Sequence, residues 1–450
     1  MANQENDVSH QKPQVAVVMV PLPAQGHLNQ LLHLSRLISA VNLPVYYIGA
    51  ATHIRQAKLR LHGWNPSSSI NFHEFPNPQF QNPNPNPNSP TKFPLQILPS
   101  FSAAKNLRAP VLKFVKNLSK KFKRIVVIYD SLMTYVVQDL DSWANAGKPD
   151  LSSDPGLSSI LKEIPGPDGF FPPEFAEFRA LQRGSRKFFS GDIYNSSRII
   201  EDVYLNLLST GSEKKWAVGP FNPVLINQSG LPRHKSLDWL DKQVLNSVIF
   251  VSFGTTSSLS DEQVHELAIG LEKSGQKFIW VLREADKGDI FTGSENRKFE
   301  LPDGFEERVK ERGLIVRDWA PQLEILAHFS TGGFLSHCGW NSCMESISMG
   351  VPMATWPMHS DQPTNAVLVT KVLRIGVEVR DWACREDVVP SGVVENSVKK
   401  LMASGEGDEM RKRARELGDG VKSSLMEDVH TPQFAYKYNN ISLKIILTSK

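Results

Sequence analysis

Short unbroken apolar runs alternate with helical stripes along this chain. Val15–Val20 reads VAVVMV, rich in β-branched valine and of a length suited to a strand buried on both faces. Pro21–Gly26 follows as a turn. His27–Ile38 then places Leu28, Leu31, Leu32, Leu34 and Ile38 at roughly helical spacing, with Ser35 interrupting the stripe. Strand, glycine turn and helix in that order open a doubly wound α/β domain. Val45–Ile48 reads as a second strand, and Arg124–Tyr129, ending at Asp130, as another.

The second half repeats the grammar. Ser247–Phe253 reads as a strand, Gly254–Ser257 as a turn and Asp261–Lys273 as a helix. Phe278–Leu282, Leu314–Val316 and Gly332–Ser336 read as further strands. The fold class expected is therefore α/β, with two Rossmann-like doubly wound domains facing a cleft and ligands at the carboxyl ends of the strands. Phe221–Arg233, rich in Pro, Asn and Gly, marks the boundary. The predicted division is 1–220, a linker at 221–234, 235–425, and a segment 426–450 packing back on the first domain. Asn77–Pro94 reads as an extended, mobile surface loop. Lys113–Arg124, with six basic residues, reads as the solvated face of a helix.

Composition narrows the functional classes. A chain of 450 residues has room for two or three domains. Its 50 basic and 47 acidic residues give +3, too balanced for a nucleic-acid or anionic-membrane binder. Met1–Gln14 is polar and lacks a signal-peptide pattern, and no apolar run reaches 18 residues, so the expected location is the cytoplasm. Cys338, Cys343 and Cys384 form neither a disulfide framework nor a metal-ligand spacing, and no Asp-x-Asp lies near the candidate site. No metal or other cofactor is expected. Without entry to the secretory pathway, the sequons at Asn117, Asn195, Asn227 and Asn440 carry no meaning.

The densest candidate chemistry lies between Trp319 and Gln362. His337 ends a strand, Gly339 lets backbone approach closely, and Asn341 and Ser342 open a helix, whose unpaired N–H groups suit a phosphate. Glu345, one turn on, suits ribose hydroxyls. Asp361 and Gln362 suit sugar hydroxyls, and Trp319 offers a flat face for a base. Taken singly, each has a plainer reading: Trp319 and Trp340 as core, Glu345 as a cap, Asp361 as a turn residue. A second signal is His27, in the first strand–helix turn. Asp130 closes a strand of the same sheet, where it can orient His27 and stabilise its imidazolium.

The segment from Trp319 through Gln362 resembles, nearly position for position, the 44-residue signature box of plant secondary-product glycosyltransferases. The resemblance implies a GT-B-type fold and a UDP-sugar donor. It implies that Trp319 stacks on uracil while Gln322, beside Ala320, holds the uridine. Glu345 binds the ribose; His337, Asn341 and Ser342 contact the phosphates; Trp340, Asp361 and Gln362 contact the sugar. The Gly254–Thr255 turn reaches the diphosphate, and His27, supported by Asp130, deprotonates an acceptor hydroxyl. A terminal Gln362 is typical of glucose users, and Trp340 of neutral sugars. Leu237–Gln243, Val251–Thr255 and Phe278–Arg283 also match.

Pro23–Leu32, Asp130–Asp139 and Trp356–Pro363 are most similar to the subgroup of zeatin O-glucosyltransferases and O-xylosyltransferases. The implied partners are UDP-glucose or UDP-xylose and a small hydroxylated acceptor, acting on a monomer by inverting displacement. The best-matching acceptor is the side-chain hydroxyl of zeatin-type cytokinins. A phenolic or flavonoid acceptor stays open. So does a UDP-sugar-binding protein with impaired catalysis, because the family's strand and helix start after Ala146 are missing here. The box argues against a nucleotide-sugar epimerase or phosphorylase. The lack of a Gly-x-Gly-x-x-Gly after either first strand argues against a dinucleotide dehydrogenase.

Overall fold

Alternate residues of β1 (Val15–Val20) enter two different apolar layers. Ala16, Val18 and Val20 join one cluster, and Val17 and Met19 the other. That is why the strand reads as an unbroken run: a central parallel strand has no solvent face. Each fully buried valine contributes about 1.5–3 kcal/mol. The chain is described by a computed structural model over residues 15–60, 70–144, 171–184, 190–208, 214–226, 233–292, 299–429 and 443–449.

The first domain continues with β2 (Val45–Ala50), β3 (Ile70–Phe75), β4 (Arg124–Asp130), β5 (Asp192–Tyr194) and β6 (Lys215–Ala217). The second carries β7 (Val248–Ser252), β8 (Lys277–Val281), β9 (Gly313–Val316), β10 (Thr331–Ser336), β11 (Met353–Thr355) and β12 (Gly376–Glu378). After the long Gly405–Val429 helix the chain returns as β13 (Leu443–Ser449) to the first sheet. The sheet orders are β3-β2-β1-β4-β13-β5-β6 and β12-β11-β10-β7-β8-β9. Among the described residues only β13 runs antiparallel, against β4 and β5.

These orders locate the ligand crevices. In the first sheet the chain winds from β1 out to β3, then crosses to β4 on the other side of β1. In the second it winds from β7 to β9, then crosses to β10 beside β7. Each reversal opens a crevice at the carboxyl ends of the central pair. The crevice at β1 and β4 receives His27 and Asp130; the one at β7 and β10 receives Gly254 and His337. Thus topology alone gathers residues far apart in sequence.

Three expectations need correction. The basic stretch is not one helix: the helix Arg108–Leu118 ends before its last four basic residues, and Arg124 already belongs to β4. The Asn/Pro tract is extended but fastened. Asn77 Oδ1 accepts from Thr52 N at 2.8 Å, and Asn82 Nδ2 donates to the Asp289 carbonyl of the second domain at 2.9 Å. The expected boundary at residue 425 falls inside the Gly405–Val429 helix, which packs on both the Arg198–Leu208 and Trp340–Met349 helices. The missing stretch after Ala146 lies outside the described residues. Among the described residues no helix is long and apolar enough to cross a membrane.

β10 carries a register shift against β7 between Thr331 and Gly333. A Cβ on Gly332 would stand 2.1 Å from the Asn246 carbonyl oxygen, a backbone atom with little freedom to retreat. The glycine therefore allows the bulge that sets β10 and, at its end, His337. Gly332→Ala is expected to cost about 1–3 kcal/mol, read as a lower urea midpoint; an unchanged midpoint contradicts this account of the bulge.

Candidate active site

A cavity of about 480 Å³ lies between the two sheets and is lined from both domains. On the first-domain side, β1 and β4 run parallel with Val20 opposite Tyr129, so their ends emerge side by side. His27 sits in the first turn of the Gln25–Ser39 helix that follows β1, and Asp130 is the last residue of β4. Their Nδ1 and Oδ2 atoms lie 2.6 Å apart. The other Asp130 oxygen accepts from Leu132 N at 2.9 Å, so the carboxylate is held at both oxygens. A carboxylate only accepts, which puts the His27 proton on Nδ1 and leaves Nε2 as the basic nitrogen. The His27 side chain is 42% exposed, opening on the cavity, against 8% for Asp130.

Burial by itself lowers the His27 pKa. The charge and hydrogen bond of Asp130, with the charge of Asp361, outweigh burial and raise it above the usual 6.5.

The opposite wall is built from β7, β10 and the turns that follow them. Gly254 adopts φ +74°, and a Cβ there would stand 2.6 Å from His337 Nε2; one on Gly339 would stand 2.5 Å away. Two glycines thus give the His337 ring its place. Burial pushes its pKa down to about 4, so the ring is neutral near pH 7. The Trp340–Met349 helix begins at Gly339 with no side-chain cap, and its first turn opens on the cavity.

Gln322 Nε2 donates to Ser342 Oγ at 3.0 Å and to Glu345 Oε2 at 2.8 Å. Burial raises the Glu345 pKa to about 7, against the lowering effect of that amide. Asn365 Nδ2 donates to Asp361 Oδ2 at 3.1 Å and to the Cys338 carbonyl at 3.0 Å, fixing one carboxylate at the mouth of the other turn. Burial raises the Asp361 pKa, opposed by the Asn365 hydrogen bond and His27. Gln362 Oε1 accepts from Met358 N and His359 N at 2.8 and 3.0 Å, so its carbonyl shapes the loop, while its NH₂ lies 3.4–3.5 Å from the ring nitrogens of His359.

Every candidate donor-site residue lines this one cavity: Gly254, Thr255, Trp319, Ala320, Gln322, His337, Trp340, Asn341, Ser342, Glu345, Asp361 and Gln362. His27 faces them, with Asp130 behind it. Two candidates also reach across the cleft. Asn341 Nδ2 donates to the Gly26 carbonyl at 2.8 Å while its Oδ1 accepts from Gln30, and Trp340 Nε1 donates to the Asn195 carbonyl at 2.8 Å. Among the described residues there is no group of three His, Cys, Asp or Glu able to hold a metal ion.

Sequence reasoning missed a charged clasp beside Trp319. Arg60, just past the Ala51–Leu59 helix, pairs with Asp286 of the second domain and places its Cζ 4.6 Å from the centre of the Trp319 ring. Arg283 Nη2 donates to Asp286 Oδ1 at 2.8 Å, and Asp286 N donates to the Thr255 carbonyl at 2.6 Å. Burial raises the Asp286 pKa, but the two guanidinium groups outweigh it and hold the carboxyl below its ordinary range. Arg283 lies in a stretch the sequence singles out. Nothing local marks Arg60 or Asp286, which pair across 226 positions.

Arg60 and Asp286 side chains are only 11% and 6% exposed. Removing the carboxylate leaves two buried cations unpaired. Asp286→Ala is expected to destabilise the protein by about 3–5 kcal/mol in urea denaturation; a change within about 0.5 kcal/mol contradicts the clasp.

Comparison with known proteins shows the family. A family model described as "Glycosyltransferase, N-terminal domain" matches residues 13–223, and one described as "UDP-glucoronosyl and UDP-glucosyl transferase" matches 233–403. Zeatin O-glucosyltransferase of Phaseolus lunatus is 53% identical over 452 residues, covering 95% of this chain and 96% of that protein. Zeatin O-xylosyltransferase of Phaseolus vulgaris is 51% identical, covering 92% and 94%. Among solved structures, Phytolacca americana UGT2 complexed with UDP-2fluoro-glucose and pterostilbene aligns with a TM-score of 0.67 at 26% identity, covering 95% and 98% of the two chains.

Proposed function

The chain belongs to the family of UDP-glucosyl and UDP-glucuronosyl transferases, a GT-B-type enzyme that moves a sugar from a UDP donor to a small acceptor; from that premise we propose that it glycosylates the side-chain hydroxyl of zeatin-type cytokinins, using UDP-glucose or UDP-xylose. The observation that carries the mechanism is the His27–Asp130 pair at 2.6 Å, opening on the cavity that the donor-side residues line.

His27 Nε2 takes the acceptor proton as the oxygen attacks the anomeric carbon. The bond from that carbon to the diphosphate oxygen breaks as the new one forms, inverting the centre. The proton ends on the imidazole, whose charge faces Asp130, and the electron pair leaves on UDP. The uncapped Trp340–Met349 helix start, neutral His337 and the Gly254–Thr255 turn offer hydrogen-bond donors to that leaving charge. Trp319 offers a face for the base, Gln322 and Glu345 hold uridine, and Trp340, Asp361 and the Gln362 amide hold the sugar. Zeatin as acceptor is supported by the identity to a zeatin O-glucosyltransferase and a zeatin O-xylosyltransferase across nearly the whole chain.

Purified protein offered UDP-glucose or UDP-xylose with zeatin is expected to give the O-glycoside by mass and UDP only when acceptor is present. His27→Ala is expected to lower kcat by about 10²–10⁴-fold. Phenol glycosides without zeatin glycoside reject the acceptor; equal turnover by wild type and His27→Ala rejects the base.

The base must be neutral to act, and its pKa is raised, so kcat/KM is expected to fall with decreasing pH through an apparent pKa above 6.5. Asp130→Asn removes the charge that raises it. That variant's acid limb is expected to move to lower pH, with a lower plateau. An unmoved limb removes Asp130 from the dyad.

A further inference from the structure

Part of the first-domain wall of the cavity is lined by aromatic rings together with the Arg179 guanidinium. Phe171 and Phe175 stack at 5.1 Å, and Phe93 meets Phe175 at 4.9 Å. Phe175 and Arg179 lie one turn apart on the Pro173–Gly184 helix, so both project to the same side. Arg179 places its Cζ 4.6 Å from the centre of the Phe171 ring and lines the cavity that His27 also lines. Among the described residues it has no carboxylate or carbonyl partner. Burial, with the charge of Arg183, pushes its pKa below the usual arginine range. A guanidinium has five N–H donors and no acceptor, and leaving them unmatched in a partly dry chamber is costly. Apolar acceptors would be served by one more aromatic side chain at this position.

Resting on the acceptor class proposed above, we infer that Arg179 is a specificity-determining residue, donating hydrogen bonds to ring nitrogens of a planar heteroaromatic acceptor that lies among Phe93, Phe171 and Phe175. Three of the four ring nitrogens of a purine are lone-pair acceptors in the ring plane. A guanidinium at the chamber wall meets them edge-on while the phenylalanines cover the ring faces. The far end of such an acceptor, bearing the hydroxyl, then extends toward His27. The chamber is coupled to the donor half as well, since Phe93 contacts the His359 ring at 5.6 Å.

The test uses two acceptors with the same hydroxylated side chain, one on adenine and one on naphthalene, which has the shape but no ring nitrogens. Arg179→Ala is expected to raise KM for the adenine acceptor about 10–100-fold, the range for a hydrogen bond to a charged group. KM for UDP-glucose and for the naphthalene acceptor should stay within about twofold. Arg179→Lys should restore part of the adenine preference, and Arg183→Ala should leave it intact. Equal loss on both acceptors, or an unchanged KM for the adenine acceptor, overturns the assignment. A wild-type enzyme that glycosylates phenols but neither test acceptor overturns the acceptor class itself, and this inference with it.

Discussion

Two helices, one from each domain, point their starts at each other across the cleft, and the Asn341 carboxamide joins them. It donates to the Gly26 carbonyl and accepts from Gln30 on the helix that carries His27. That contact fixes the span between the His27 ring and the helix start opposite it. A base on one domain can act on a sugar held by the other only if the span is right within a fraction of an ångström. The Trp340–Asn195 hydrogen bond and the Arg60–Asp286 pair hold the same interface at two further points. Each uses a side chain from one wall of the cavity, so closing the cleft and shaping the site are a single event.

The electrostatics follow the same division. On the first-domain side a carboxylate raises the affinity of a histidine for its proton. On the second-domain side burial strips a histidine of its proton and lets a glutamate keep one to about pH 7. One wall is thus tuned to receive a proton, and the other to meet a phosphate-bearing ligand with neutral donors and helix dipoles. Arg60, Arg283 and Asp286 together leave one net positive charge beside Trp319, complementary to a diphosphate.

What the sequence makes legible is what lies in local periods. The valine runs of β1, β4 and β7 declare themselves because both faces are buried, and His27 and Asp130 are legible because strand ends share a crevice. The three-residue strands β5 and β6 are too short to show any period. The fastening of the Asn/Pro tract depends on Asp289, distant in sequence, and composition alone cannot see it. Arg60 and Arg179 look like any surface arginine until the fold places one against Trp319 and the other against Phe171. The Asp289 and Arg60 contacts are long-range pairings, which leave no imprint on neighbouring residues.

The antiparallel strand β13 sits between β4 and β5, so the first sheet joins β5 and β6 to its centre only through residues 443–449. On the ribosome, that strand is made after the whole second domain. Until then β4, whose last residue is Asp130, presents an open hydrogen-bonding edge. The nascent first domain must wait, incomplete and prone to wrong pairings, while its companion folds. Translation speed and chaperone cover through the second half of the message therefore bear on the first half of the protein.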